Sequence, residues 1–177
     1  MNLRSQSAFD QFFALTLVVL GVLFRLAPHP DNVTPTMAIA LFAGATLPPA
    51  LAFSVPLAVM MVSDFFIGLH SLYLLVWVCF MGVVFLGVWA SKYPGLVRTL
   101  IAAVSGSVLF FVLTNLGVFF FDALYPRTWA GLVECFVMAI PFFKNSFIGD
   151  LVYTTVFFSL YLAAQWSHHL FQKSKIS

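Results

Sequence analysis

Apolar residues fall in long blocks along the chain, separated by short breaks that carry proline, glycine or charge. A transmembrane helix needs about 20 mostly apolar residues, and that ruler predicts six spans. They run from about Gln11 to Leu26, Thr34 to Leu47, Ala50 to Ile67, Leu72 to Ala90, Leu96 to Phe121 and Phe147 to Trp166. The second is short and rich in small residues (Ala38, Ala40, Ala43, Gly44, Ala45), which suits close helix contact. Pro48 and Pro49 break the chain and open the third span, and Pro56 inside it predicts a kink. Between the fifth and sixth spans, the apolar stretch Trp129 to Ile140 stops at Pro141. It is too short to cross, so it is expected to lie as an interfacial or partly inserted helix, one use of which is to cap a cavity.

Composition turns these blocks into a statement about solvent. Of 177 residues, 62% are hydrophobic and 8% charged, with a mean hydropathy of +1.04, where a soluble domain carries roughly 25% charged residues. The 22 Phe spread along the chain leave no polar face for water, so a soluble fold is excluded and the lipid bilayer is the expected solvent. The fold class is therefore an all-α integral membrane protein, one six-helix bundle without a second domain. A net charge of +2 without a basic stripe gives no nucleic-acid footprint. Cys79 and Cys135 lie in separate apolar segments, which signals neither a disulfide framework nor a zinc site. Arg25 and Pro28 stand where a signal-peptide cleavage site would be expected, so the first block reads as a retained span.

Lys and Arg in the loops set the expected orientation. With the N-terminus inside, Arg4, Lys92, Arg98, Lys173 and Lys175 fall on the cytoplasmic side, five against the three of Arg25, Arg127 and Lys144 outside. Both termini are expected in the cytoplasm. That topology gathers the remaining ionisable residues at the outer face: Arg25, His29 and Asp31 in the first loop, Asp64 and His70 in the second, Asp122, Arg127, Glu134, Lys144 and Asp150 in the third.

Several of these residues are candidates for chemistry, and each has a plain structural alternative. The segment RLAPHPDNVTP, Arg25 to Pro35, carries three prolines that stiffen the loop and would hold His29 and Asn32 in set positions. It is equally consistent with an interfacial turn whose Arg25 snorkels to headgroups. A carboxylate at mid-bilayer costs about 2.5 to 3.5 kcal/mol on insertion scales, so Asp64 calls for a polar cavity or a partner such as Arg25. Cys79 lies about 13 Å below His70 along the fourth span and about 180° around the helix from it. A lone cysteine there is ordinarily an apolar filler. The Thr114-Asn115 pair needs hydrogen-bond partners in the bundle or from a ligand, since lipid offers none. No Walker A, GxSxG or HExxH pattern is present.

The order of motifs carries a resemblance. RLAPHPDNVTPTMAIALFAGA, SDFFIGLH, the TN of the fifth span and GLVECFVMAIPFFKNSFIGDL resemble a family of small bacterial membrane proteins related to the S components of energy-coupling-factor vitamin transporters. The similarity covers about residues 22 to 152. It implies a six-helix bundle in the bacterial cytoplasmic membrane that takes up a vitamin or similar micronutrient through an outward-facing pocket. Within that group, the solitary cobalamin transporters are similar in size and helix count. Resemblance to them implies cobalamin as the transported ligand, with Cys79 bonding its cobalt and helping to remove a cobalt ligand, and with His29, Asp64 and Tyr73 in support. A thiolate is a soft ligand that suits such a metal. The expected pocket comprises His29, Asn32, Asp64, His70, Tyr73, Trp77, Asn115 and Phe142. S components that share an energising ATPase module often carry AxxxA in the first span, and here Ala8 and Ala14 stand six apart, which leaves a solitary transporter open. Two rival functions remain: a membrane enzyme using His70 and Asp64 as an acid-base pair on a lipid-type substrate, and a structural membrane subunit.

Overall fold

The computed structural model describes residues 3–92 and 95–174, with side chains over 7–92 and 95–167. Of the residues in the orientation count, Lys175 and the side chains of Arg4 and Lys173 lie outside the described residues. The described chain forms six helices: α1 (Leu3–Leu26), α2 (Thr36–Thr46), α3 (Pro49–Ile67), α4 (Tyr73–Ser91), α5 (Leu96–Phe121) and α6 (Trp129–Ser174). Five of them, all but α2, are long and apolar enough to cross a membrane. Phe9, Phe12, Phe65, Phe85 and Phe121 point outward, each more than 60% exposed, as a lipid-facing surface requires.

The segment expected as the second span forms a helix of only 11 residues, about 16 Å long against a hydrocarbon core of about 30 Å. It lies inside the bundle, where every residue from Thr36 to Gly44 is buried and its neighbours are chiefly α4, α3 and α6. Leu47, in extended conformation, and Pro48 then lead into α3, with Pro49 in its first turn. The residue before a proline is pushed out of the helical region, and a proline in the first turn gives up an N–H that has no partner there anyway. Pro56 is fully buried inside α3.

Small residues set the approach of α2 to α4. A Cβ on Gly44 would stand 2.2 Å from the carbonyl oxygen of Val84, and one on Gly87 would stand 2.2 Å from that of Leu41. Each helix therefore meets the other's backbone through a glycine, and each lacks room for a methyl group. Deeper in the bundle, Phe42 of α2 packs among Phe13 of α1 and Phe157, Phe158 and Tyr161 of α6, with ring centroids 5.1 to 5.8 Å apart. Edge-on and tilted aromatic contacts of this kind tie three helices together.

The stretch after α5 departs from expectation. Instead of an interfacial helix over Trp129–Ile140 followed by a separate span, one helix of 46 residues continues through Pro141. A proline inside a helix forfeits one backbone hydrogen bond and crowds the preceding turn, but packing on both sides holds this segment helical. Phe136 and Phe143 both contact Phe111 of α5, at 5.5 and 4.5 Å. Cys135 Sγ donates to the carbonyl of Asn115 at 3.5 Å, and Ser146 Oγ lies 3.1 Å from the Phe143 carbonyl. At 1.5 Å per residue α6 follows a path of about 69 Å, more than twice the hydrocarbon thickness and longer than a single crossing needs.

Gly44→Ala and Gly87→Ala are each expected to lower stability by about 1 to 3 kcal/mol through overpacking, measured as thermal unfolding in detergent. Gly82→Ala, where nothing lies within 4 Å of the new Cβ, serves as the control. Unfolding temperatures equal to that control would show that α2 and α4 do not meet at their glycines.

Candidate functional site

At the end of the bundle where α1 and α3 finish and α4 begins lies a cavity of about 560 Å³. All six helices reach it. α1 contributes Arg25, α2 Met37, α3 Met60 and Ile67, and α4 Val76 and Phe80. α5 supplies Phe110, Thr114, Asn115 and Val118, with Asp122 just past its end, and α6 supplies Phe142, Phe143, Ser146 and Asp150. His29, Asn32 and Thr34 enter from the α1–α2 loop, and His70, Ser71 and Leu72 from the α3–α4 turn. The α1–α2 loop is held partly by Asn145 of α6, whose Nδ2 reaches the Asp31 carbonyl at 3.4 Å. Asn32 takes a left-handed backbone conformation, φ 61°, which asparagine tolerates better than most residues.

Five of the expected pocket residues line this cavity: His29, Asn32, His70, Asn115 and Phe142. Their hydrogen bonds decide what they can offer a ligand. Both ring nitrogens of His29 lie against carbonyls, Nδ1 at 2.9 Å from Pro30 and Nε2 at 3.3 Å from Arg25, so the ring braces the loop. His70 Nδ1 accepts from the backbone N–H of Leu72 at 3.2 Å, which leaves Nε2 as the position for a donor in the neutral ring. Asn115 Nδ2 donates to the Phe111 carbonyl at 2.7 Å, and its side-chain oxygen makes no hydrogen bond within the described protein.

Asp64, Tyr73, Trp77 and Cys79 are not among the lining residues. Asp64 is 2% exposed, and both of its oxygens are engaged. Oδ1 accepts from Arg25 Nη2 at 2.6 Å and Oδ2 from Trp77 Nε1 at 2.8 Å. Tyr73 packs edge-on against Trp77 with centroids 5.3 Å apart. These residues form a brace behind Arg25 that joins α1, α3 and α4. The two partners envisaged for Asp64, a polar cavity or Arg25, thus resolve in favour of Arg25. Among the described residues no hydrogen bond joins Asp64 to His70, and both Asp64 oxygens are taken by Arg25 and Trp77.

Cys79 is buried at 3% exposure. At about 100° per residue, Leu72, Val76 and Phe80 span an arc of about 80° on α4, and Cys79 falls about 20° outside its Leu72 edge. It is buried in the bundle but does not line the cavity. No residue of the stretch 129–140 lines the cavity. Its Leu132, Phe136, Val137 and Ile140 instead form a separate apolar groove with Phe111, which makes this segment a flank of the bundle.

Sequence reasoning overlooked Asp150, which it assigned to an outer loop. In the structure Asp150 sits within α6, 6% exposed, and its Oδ2 lies 2.7 Å from Ser107 Oγ of α5. Ser107 is its hydrogen-bond partner, and no cation among the described residues pairs with it. The signal was available: Phe142, Ser146 and Asp150 recur every four residues on one helical face, but the expected break at Pro141 concealed it. Charge in the cavity is therefore uneven. Arg25 is neutralised by Asp64, whereas Asp150 and Asp122, just beyond α5, line the cavity with no ion-pair partner among the described residues.

The model of one protein family, described as a family of unknown function (DUF6580), matches residues 6–173. No curated protein and no solved structure matches the chain.

Breaking a buried ion pair by removing one partner costs about 3 to 5 kcal/mol, because the other charge is left buried and alone. Asp64→Ala should therefore destabilise the protein by that amount in chemical unfolding, and adding Arg25→Met should recover most of the loss. A double variant as unstable as Asp64→Ala would mean that Arg25 and Asp64 do not act as a pair.

Proposed function

The chain belongs to the DUF6580 family, whose function is unknown, and we propose that it binds and takes up a small organic micronutrient, a vitamin or a related molecule, through the cavity at the end of its bundle. One observation carries this reading: all six helices converge on a cavity of about 560 Å³ that combines apolar walls with a few polar groups. Ligand sites typically occupy about 300 to 1,000 Å³ with that mixture, and in helical proteins they lie between helices of the bundle. Met37, Met60, Phe80, Phe110 and Phe142 would hold the apolar body of the ligand, while Thr114, Asn115, His70 and Asp150 would orient its polar groups. The resemblance to S components points to the same use.

In this proposal the open end of the cavity faces outward from a bacterial cytoplasmic membrane, with both termini in the cytoplasm, as the Lys and Arg distribution favours. Energy would come from a partner ATPase module, or the protein would act alone, as the missing AxxxA spacing suggests. Cobalamin is the specific form of the proposal that needs Cys79. Cys79 is not among the residues that line the cavity, so a smaller vitamin is the form that the cavity favours.

Two measurements on detergent-purified protein test this. Native mass spectrometry against a panel of water-soluble vitamins should detect one bound molecule, and Asn115→Leu should weaken it about 5- to 150-fold, the equivalent of losing one buried hydrogen-bond partner. Visible absorption after incubation with cobalamin, beside Cys79→Ser, should reveal bands that depend on the thiol only if the corrinoid form holds. A panel in which nothing binds, or binding indifferent to Asn115→Leu and to a cavity-filling Ser146→Trp, would rule out the cavity as an uptake site.

A further inference from the structure

The Ser107 hydroxyl has one hydrogen and two acceptors within reach. Its Oγ lies 3.0 Å from the carbonyl of Ala103, one turn back on α5, and 2.7 Å from Oδ2 of Asp150 on α6. Both residues are buried, Ser107 at 3% and Asp150 at 6% exposure. Two arrangements satisfy the geometry. In one, Ser107 donates to Ala103, so the hydrogen in the bond to Asp150 belongs to the carboxyl group, and Asp150 is a neutral acid. In the other, Ser107 turns its hydrogen to Asp150, which is then an ionised carboxylate with one hydrogen bond and an oxygen directed to the cavity.

The second arrangement needs a positive charge, because an isolated carboxylate within a membrane bundle is costly. No described residue provides one. Arg25, from α1, is committed to Asp64 through its Nη2. The other ionisable groups on the cavity are His29 and His70 from the loops and Asp122 from the end of α5, while α2, α3 and α4 present only Met37, Met60, Ile67, Val76 and Phe80. His29 is turned to the carbonyls of Arg25 and Pro30, and none of these groups is hydrogen-bonded to Asp150. A cation for Asp150 has to arrive through the cavity.

We propose that Asp150 and Ser107 anchor a cationic nitrogen group of the molecule that the cavity takes up, an ammonium or a positively charged nitrogen heterocycle, and that this group displaces the proton of Asp150 as it binds. The O–H bond of the Asp150 acid breaks and its proton leaves through the cavity to water. The Ser107 hydrogen swings from the Ala103 carbonyl to Asp150 Oδ2, and the carboxylate pairs with the incoming cation. Charge at the floor is balanced before and after. This inference rests on the uptake reading of the cavity and narrows its substrate class to organic cations.

Isothermal titration calorimetry of the full-length protein in detergent tests it, with choline, pyridoxamine and thiamine as cationic probes and pantothenate and nicotinate as anionic ones. Titrations in two buffers of unlike ionisation heat count the protons exchanged. A cationic probe should bind with release of close to one proton, and its Kd should tighten about tenfold per pH unit on the acid side of the transition. Asp150→Asn, which keeps the size of the side chain, should weaken binding at least about tenfold and abolish the release, whereas Asp150→Glu should retain it. A cation that binds without releasing a proton, or binds Asp150→Asn as well as the native protein, overturns the proposal. An anionic probe whose binding Asp150→Asn leaves unchanged overturns it too, yet preserves the uptake reading. If no probe of either charge binds and the wider vitamin panel is also negative, both fall.

Discussion

A helix too short to cross the bilayer sits at the centre of this bundle, and the other five are arranged by the need to enclose it. The backbone groups at the ends of α2 cannot be left to lipid, which has no donors or acceptors to satisfy them, so protein has to surround it. Gly44 and Gly87 permit the closest of these contacts by giving each backbone direct access to the other. The cavity follows from the same constraint. Longer helices standing around a helix of 11 residues leave a volume above its first turn, where Met37 lies, and the α1–α2 loop fills that volume only in part. The loop carrying His29, Asn32 and Thr34 lines that volume.

Two buried carboxylates show opposite solutions to the same electrostatic problem. Asp64 has a guanidinium on one oxygen and an indole N–H on the other, and it is only 2% exposed. Everything it needs is built in, which marks it as a brace for α1, α3 and α4. Asp150 has one hydroxyl and, among the described residues, no cation, at the lining of a cavity. An ionisable group inside a bundle that is left half satisfied is a poor stabiliser, because it is costly to desolvate and unrewarded by a partner. The contrast distinguishes the two acids more sharply than sequence position does, since both residues stand near the ends of apolar runs.

That contrast also measures what was legible in the chain. Hydropathy alone exposed α3, α4 and α5 to within a residue and the end of α1, because lipid imposes length and composition together, whereas α1 begins at Leu3, eight residues before the expected Gln11. The small residues of α2 announced close packing, and Arg25 was among the foreseen partners of Asp64. Two features were hidden. The continuity of α6 was obscured because Pro141 and the polar run Lys144-Asn145-Ser146 look like a break, whereas contacts with Phe111 hold them in a helix. Asp150 was hidden in turn, since its neighbours on the face only become neighbours once that helix is unbroken. Cys79 drew notice as a lone thiol, but its placement just outside the lined arc of α4 depends on how α4 is rotated in the bundle, which no local pattern encodes.

The continuity of α6 bears on how a ligand would enter. A separate interfacial helix over 129–140 would have been a natural lid, hinged at Pro141 and able to swing over the pocket. Instead, Cys135 and Phe136 pack on α5 beside Asn115 and Phe111, and the same helix carries Phe142, Ser146 and Asp150 into the cavity wall. Moving the first part of α6 would therefore disturb the floor of the site along with its edge. The α1–α2 loop and the α3–α4 turn are tied down more lightly, the first through His29 and Asn145 and the second through the Leu72 N–H bond to His70. Helices packed along their length resist displacement, while segments with few buried contacts and exposed hydrogen bonds open at low cost. The cavity is thus bounded by α6 along one side and by the two short connections at its end.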